Sequence, residues 1–299
     1  MKKRILVANR GEIAIRLTRA IQELGYEAIA VYETPDEMSR HIRIADEAIL
    51  LGDGPRCDYL NIEKIIKAAK HSGACAIHPG YGFLAENPFF AKACENNGII
   101  FIGPTSEIIQ NLGNKVIARD IMAEAGIPMV PGTQNLKQGR EGVADALAFA
   151  AKYGYPIMLK ATSGGGGRGI RRIESDAEMK QQIPVARAEA LAAFNDDSVY
   201  LEKVVVNPKH VEVQILADSH GHTVHRGTRD CSIQRRNQKL IEIAPSMIQN
   251  KELLDEICAT AVKAAEAAGY LNAGTVEFLI DKDYNYYFME INTRVQVEH

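Results

Sequence analysis

Short apolar runs alternate with amphipathic helical stretches through the first hundred residues, and that rhythm leaves few folds open. Residues 4–9 (RILVAN) form one apolar run, and over 11–25 Ile13, Leu17, Ala20, Ile21 and Leu24 share a helical face ahead of a closing glycine. Apolar runs recur at 27–32, 47–51, 74–78 and 99–102. Between two of them, residues 61–73 carry Asn61 as an N-cap, with Ile62, Ile65, Ile66 and Ala69 facing inward. Strands alternating with helices predict an α/β unit built on a parallel, doubly wound sheet. Ligands of such sheets collect beyond the carboxyl ends of the strands. Three turns fall there: Asn9-Arg10-Gly11-Glu12, His78-Pro79-Gly80-Tyr81-Gly82 and Gly103-Pro104-Thr105. None is a G-x-G-x-x-G fingerprint, and each reads equally well as a plain turn.

At 299 residues the chain has length for two or three compact units, at roughly 100–200 residues each. Its 46% hydrophobic and 24% charged residues exclude disorder and a fibrous chain. A formal charge of −3 provides no broad footprint for nucleic acid or an anionic membrane, while leaving room for a local anion site. The five cysteines, Cys57, Cys75, Cys94, Cys231 and Cys258, form no C-x-x-C pair and read as free thiols of a reducing compartment. The basic start is broken at Asn9, Arg10 and Glu12 before any signal-type core forms, and no run reaches the ~20 apolar residues of a membrane span. A cytoplasmic location is expected.

A glycine loop at 163–169 (SGGGGRG) follows the strand-like run 155–160 and precedes a second one at 170–173. The next helix waits for a capping box at Ser175-Asp176-Ala177-Glu178. A Walker loop would open directly into a helix, so this loop tips a hairpin instead. Four consecutive glycines exceed what a hairpin turn needs; they suit backbone N–H groups closing over phosphate, with Lys160 and Arg168 supplying charge.

In the last third, residues 199–205 form a strand interrupted by Glu202 and Lys203. Residues 210–216 set His210, Glu212 and Gln214 against Val211, Val213 and Ile215, which predicts a strand with one solvated face. Arg229, Arg235, Arg236 and Lys239 crowd one short run, either a solvated basic loop or an anion site. His220, His222 and His225 lack ligand-spaced carboxylate or Cys partners, which argues against a metal. Residues 272–281 and 284–292 read as a hairpin turning near Lys282-Asp283, with Glu277 and Glu290 inside apolar strands. Such carboxylates need a cation or donors: with Asn292 they suit a Mg²⁺ shared with nucleotide phosphates, and the alternative is ion pairing to Lys or Arg. At the end, Arg294, Gln296 and Glu298 are expected on one face of an extended strand, able to grip a small oxyanion and remove its proton.

Five strings, RILVANRGEIAIR, HPGYGFLAEN, KATSGGGGRGIR, RDCSIQRRNQK and EINTRVQVEH, together resemble the biotin carboxylase component of biotin-dependent carboxylases, an ATP-grasp family, over essentially the whole chain. The resemblance implies a pre-ATP-grasp doubly wound domain at 1–114, a helical connector at 115–135, a small α+β lid at 136–203 and an incomplete ATP-grasp α+β domain at 204–299. It gives nucleotide-binding roles to Lys115, Lys160, Gly165, Gly166, Gly167, Glu202, Lys203, Val205, His210, Gln234, Asn237 and Glu277. Metal binding falls to Glu277, Glu290 and Asn292. The bicarbonate site is Lys239, Arg294, Gln296, Val297 and Glu298, with Glu298 as base and Lys239 and Arg294 as charge stabilisers. Implied cofactors are ATP, Mg²⁺ or Mn²⁺, and biotin carried on a partner protein.

The implied partners are a biotin carboxyl carrier protein and a carboxyltransferase, with a homodimer for the full-length domain. Asn237 departs from the usual family His, and with the RNQKLIEIAPS run it leans the acceptor from acetyl-CoA toward pyruvate or another 2-oxo acid. The family sequence continues beyond the position of His299, so the chain's own turnover is an open expectation. The competing readings are a carbamoyl phosphate synthetase-like ligase and a nucleotide-binding module without turnover.

Overall fold

The computed structural model describes residues 3–54, 58–163, 169–235 and 238–299. The first hundred residues run β1 (Arg4–Val7), α1 (Gly11–Glu23), β2 (Glu27–Glu33), α2 (Arg40–Ile44), β3 (Glu47–Gly52), α3 (Ile62–Ser72), β4 (Ala76–His78), α4 (Pro88–Asn96) and β5 (Ile100–Phe101). All five strands are parallel in the order β3-β2-β1-β4-β5, so the winding reverses between β1 and β4. Each strand is nearly continuously apolar because helices cover both faces, and Leu6, Val7, Ile29 and Ile77 are fully buried. The expected cap on α3 is present: Asn61 accepts from Lys64 N at 3.0 Å, and Gly73 closes the helix in the left-handed region.

At the reversal, the turns after β1 and β4 are laced together. Buried Asn9 donates through Nδ2 to Pro79 O (2.7 Å) and Tyr81 O (2.8 Å). Gly80, at φ +64°, has no alternative there, since a Cβ would stand 2.9 Å from that same Nδ2. Phe83 stacks on Tyr59 at 5.3 Å, and the Tyr59 hydroxyl donates to Asp36, which also holds Arg10. The loop running from His78 to Glu86 is therefore anchored at several points.

Next come α5 (Ser106–Gly113), α6 (Lys115–Glu124) and α7 (Gly139–Tyr153), then β6 (Ile157–Ala161), β7 (Ile170–Ile173), α8 (Asp176–Phe194) and β8 (Val199–Lys203). Strands β7-β6-β8 make a small antiparallel sheet whose core joins Ile157, Leu159 and Leu201 to Phe149 of α7 and Met179 and Ile183 of α8. Ser175 caps α8 by accepting from Glu178 N, as the capping box predicts, while Glu178 reaches back to the N–H of Glu174 rather than of Ser175.

The last unit holds β9 (Lys209–Ala217), β10 (Thr223–Arg235), β11 (Gln238–Ile243), α9 (Lys251–Ala267), β12 (Asn272–Ile280) and β13 (Tyr286–Asn292). Its antiparallel sheet runs β11-β10-β9-β12-β13. Val211, Val213, Ile215, Val276 and Phe278 pack beneath α9, joined by Ala118 and Met122 of α6, the helix read from sequence as a connector.

Two expectations need correction. The polar face of β9 is not solvated: His210, Glu212 and Gln214 are all buried, because strands on both sides supply polar partners. Residues after β13 do not continue as a strand. They bend and turn, with His299 N donating to Gln296 O at 3.2 Å and Gln296 drawn into a buried hydrogen-bond network. Cys94, Cys231 and Cys258 are buried and Cys75 is exposed; all four are free thiols, and Cys57 lies outside the described residues. Among the described residues no helix is long and apolar enough to cross a membrane.

Candidate functional site

The buried polar face of the C-terminal sheet is a charge network set by strand register. Glu277 lies opposite Glu212 on one side and Glu290 on the other, and Arg229 lies opposite Glu212. Lys239 crosses from β11 to bind both Glu212 and Glu277, the latter at 2.9 Å. Glu212, with no solvent exposure, also accepts from Arg229 Nε, and Arg229 donates further to Gln214 Oε1 (3.0 Å) and Gln296 Oε1 (3.1 Å). Glu277 accepts from Asn292 Nδ2 (2.6 Å) and faces His210 Nε2 (2.6 Å), while Gln234 Nε2 donates to His210 Nδ1 (2.6 Å). Burial opposes its charge, yet the bonds from His210 and Lys239 hold the Glu277 carboxyl down to about 2. Burial works against Lys239 too, but the Glu277 and Glu212 carboxylates push its ammonium above its ordinary value.

The Glu277–Glu290 pair fits a divalent cation. Glu290 has no hydrogen-bond donor among the described residues, and burial together with neighbouring Glu277 pushes its carboxyl up. A carboxylate raised by desolvation and a like charge is relieved by a metal, and the donors Glu277, Glu290 and Asn292 are all oxygen. Of the alternatives weighed for Glu277, the structure shows the ion pair, to Lys239.

Lys115, at the start of α6, is desolvated enough to lower its pKa and feels Glu290, Lys160 and Glu202. Lys160 on β6 ion-pairs with Glu202 on β8. Lys203 donates to Gly154 O (3.0 Å) and Tyr155 O (3.2 Å), and Val205 lies half-buried just past β8. Gly165, Gly166, Gly167 and Arg168 of the glycine loop, and Arg236 and Asn237 of the basic run, lie outside the described residues.

The closing segment meets the N-terminal sheet. Glu86, in the loop after β4, accepts from Thr293 N (3.2 Å) and from Arg294 Nε (3.0 Å), while Arg294 also donates to Asn292 Oδ1 (3.2 Å). A cavity of about 540 Å³ opens there, lined among others by Arg16, Tyr81, Arg294, Gln296 and Glu298. Val297 is largely exposed at its rim. Behind Glu298 stands Glu242, whose carboxyl is pushed up to about 7 by burial and by the facing Glu298 and Glu212 carboxylates. Glu242 Oε2 is buried without a donor among the described residues, and two carboxyl groups can hydrogen-bond only by sharing a proton.

Sequence reasoning missed several of these residues. Glu212 was read as solvated, and Arg229 as one cation in a run; their opposition in register was the signal that linked them. Glu86 lies in the HPGYGFLAEN string and Glu242 in the RNQKLIEIAPS run, but neither was given a role, because their partners are distant in the chain. Asp218 was overlooked as a partner for the histidines: it accepts from His222 N (2.9 Å) and faces His222 Nδ1 (2.8 Å). The pair is exposed, and no metal-competent group among the described residues includes it.

Two family models divide the chain. Residues 1–109 match the N-terminal domain of biotin carboxylase, and residues 114–299 match the ATP-binding domain of the carbamoyl-phosphate synthase L chain. Biotin carboxylase 2 of Bacillus subtilis is 49% identical over 100% of this chain and 67% of its own length. The chain belongs to the biotin carboxylase family. A biotin carboxylase from Campylobacter jejuni, solved as a βγ-ATP complex, superposes with a TM-score of 0.94 at 44% identity over 100% of this chain and 67% of that one. The biotin carboxylase domain of Hydrogenobacter thermophilus 2-oxoglutarate carboxylase, solved as a dimer with MgADP, ADP and bicarbonate, gives 0.92 at 49% identity over 100% and 65%. The chain spans about two thirds or less of the length of the curated relatives it matches. Family membership accounts for the α/β architecture, with an ATP-grasp fold following the parallel sheet.

Proposed function

We propose that this chain carries out the biotin carboxylase half-reaction, transferring the carbon of bicarbonate to biotin at the expense of ATP. One observation carries the reading: Lys239 binds Glu277, which lies opposite Glu290, and its charge also reaches Glu242, which faces Glu298, so it links a phosphate-transfer site to an anion site equipped with a base. Lys115 and Lys160 hold the nucleotide phosphates, the glycine loop at 163–169 covers them, and the Glu202–Val205 hinge takes the adenine, with His210 and Gln234 on the ribose side. Glu277, Glu290 and Asn292 would hold Mg²⁺, which would neutralise charge on the terminal phosphates.

Glu298 takes the proton of bicarbonate, whose oxygen attacks the γ-phosphorus of ATP to give carboxyphosphate and ADP. Lys239 and Arg294 offset charge on the transferring group, the dominant work in phosphoryl transfer, while Gln296 and Val297 complete the bicarbonate pocket. Carboxyphosphate breaks down to CO₂ and phosphate. The phosphate takes the ureido proton of biotin as N1′ attacks CO₂, and lid closure keeps water away. The division at 1–114, 115–135, 136–203 and 204–299 belongs to the same proposal; apolar cores support the first, third and fourth units, while α6 of the second packs into the core of the fourth. So do a biotin carrier and a carboxyltransferase as partners, and a cytoplasmic setting for the free thiols.

ADP release measured with and without bicarbonate tests the reading. Acceleration of at least about 10-fold by bicarbonate is expected, since the base has no role without it. A rate indifferent to bicarbonate would leave only nucleotide binding.

The Glu242–Glu298 pair adds a pH signature. The rate is expected to rise with pH through about 7 as the Glu242 carboxyl ionises and stops donating its proton to Glu298. In Glu242→Gln that limb moves away from pH 7, and an unmoved limb would contradict the pairing. Because folding raises this pKa above the unfolded 4.5, its contribution to stability is present below about 4.5 and lost as pH rises through about 7.

A further inference from the structure

The carboxylate of Glu202 is held by two cations with different duties. Lys160 binds one oxygen, and Arg119 Nη1 binds the other at 3.0 Å. Arg119 sits one turn after Lys115 on α6, so both project from one helix face. Its second arm, Nη2, donates to Val130 O at 3.0 Å. Segment 130–133 runs along β8, with Thr133 N donating to Leu201 O (2.9 Å) and Lys203 N to Pro131 O (2.8 Å). Gly132 leaves the room: a Cβ there would stand 2.7 Å from Nη2 and 2.8 Å from Leu201 O. The side chains of Arg119, Glu202 and Lys160 are only 18%, 13% and 21% exposed, so their charges are weakly screened.

We propose that Arg119 is a positioning residue for nucleotide phosphates, acting as the fixed counter-ion of Glu202 so that Lys160 is free to turn to phosphate. The inference rests on Lys160 being a phosphate lysine, as read above. An arriving phosphate meets Glu202 as a like charge beside the lysine it needs. With Arg119 in place the Glu202 charge stays balanced after Lys160 leaves. Without it, Lys160 is the only cation among the described residues bound to that carboxylate, and phosphate must compete for it. Arg119 was not signalled by the sequence, because it lies outside every recognised string and its partner is 83 residues away.

Calorimetry on the full chain with two probes, MgADP and adenosine, tests this. Arg119→Met is expected to weaken MgADP by about 10-fold or more, or about 1.4 kcal/mol, and adenosine by less than about 2-fold, because only the phosphates sense the unbalanced carboxylate. Adding Glu202→Gln to Arg119→Met removes that charge and is expected to restore the ratio of MgADP to adenosine affinity to within about 3-fold of the parent, a ratio in which any change at the adenine cancels. Arg119→Lys keeps the charge and retains most affinity, which covers the case in which the Met variant does not fold. Equal losses of MgADP and adenosine, or a double variant no better than the single, would mean that Arg119 merely braces α6 against β8 and would overturn the proposal. Unchanged MgADP affinity in Arg119→Met overturns it alone, whereas a parent chain with no affinity for MgADP overturns the nucleotide site and the inference together.

Discussion

Arg229→Met is expected to lower the free energy of unfolding by about 3–5 kcal/mol, read as a drop in the denaturant midpoint at unchanged slope. The cause is Glu212, which has no solvent exposure and, among the described residues, depends on Arg229 and Lys239 for its hydrogen bonds. Methionine matches the length of the arginine stem but leaves half of that carboxylate unpaired. It also strands Gln214 Oε1, which has no other donor among the described residues. Burying an unpaired charge costs far more than the pair contributes. Glu212→Leu in the same background removes the orphaned charge, so the double variant is expected to be more stable than Arg229→Met. A loss below about 1 kcal/mol in the single variant would place Glu212 in contact with water.

Glu298→Gln is expected to cut bicarbonate-dependent ADP release by about 10²–10⁴-fold while changing MgADP affinity by less than about 2-fold. Glutamine fills the same volume but takes no proton. Its neighbour is Glu242, while Glu277 is bonded to Lys239, His210 and Asn292. Steady-state kinetics with varied bicarbonate, alongside calorimetry, separate the two quantities. A fall in nucleotide affinity matching the fall in rate would make Glu298 a binding group. Retained turnover would pass the role of base to another residue, for which Glu242 is positioned.

The parallel sheet was legible because each of its strands is short, apolar and followed by a patterned helix or a Gly/Pro turn. The pairing of Glu277 was legible because a carboxylate inside an apolar strand needs a cation or donors wherever the strand lies. The polar face of β9 misled for the opposite reason. Strict alternation is the same for a face turned to water and a face turned to other polar side chains, and only the neighbours β10 and β12 decide between them. The closing segment misled because a period of two in Arg294, Gln296 and Glu298 suits a strand, while Gln296 is pulled inward by Arg229 and Thr275 and turns the chain. Arg119, Glu86 and Glu242 act on partners brought close by folding, which no local pattern records.

The bond between Glu86 and Arg294 joins positions 208 apart in the chain. Contacts of such separation are closed late, after the local units that carry them have formed. The oxyanion end of the cavity is thus expected to be assembled after both units have formed and, on heating or in denaturant, to open before they do. Catalytic competence should fade before either sheet melts, so residual ATP turnover is a more sensitive gauge of damage to this chain than its helix content.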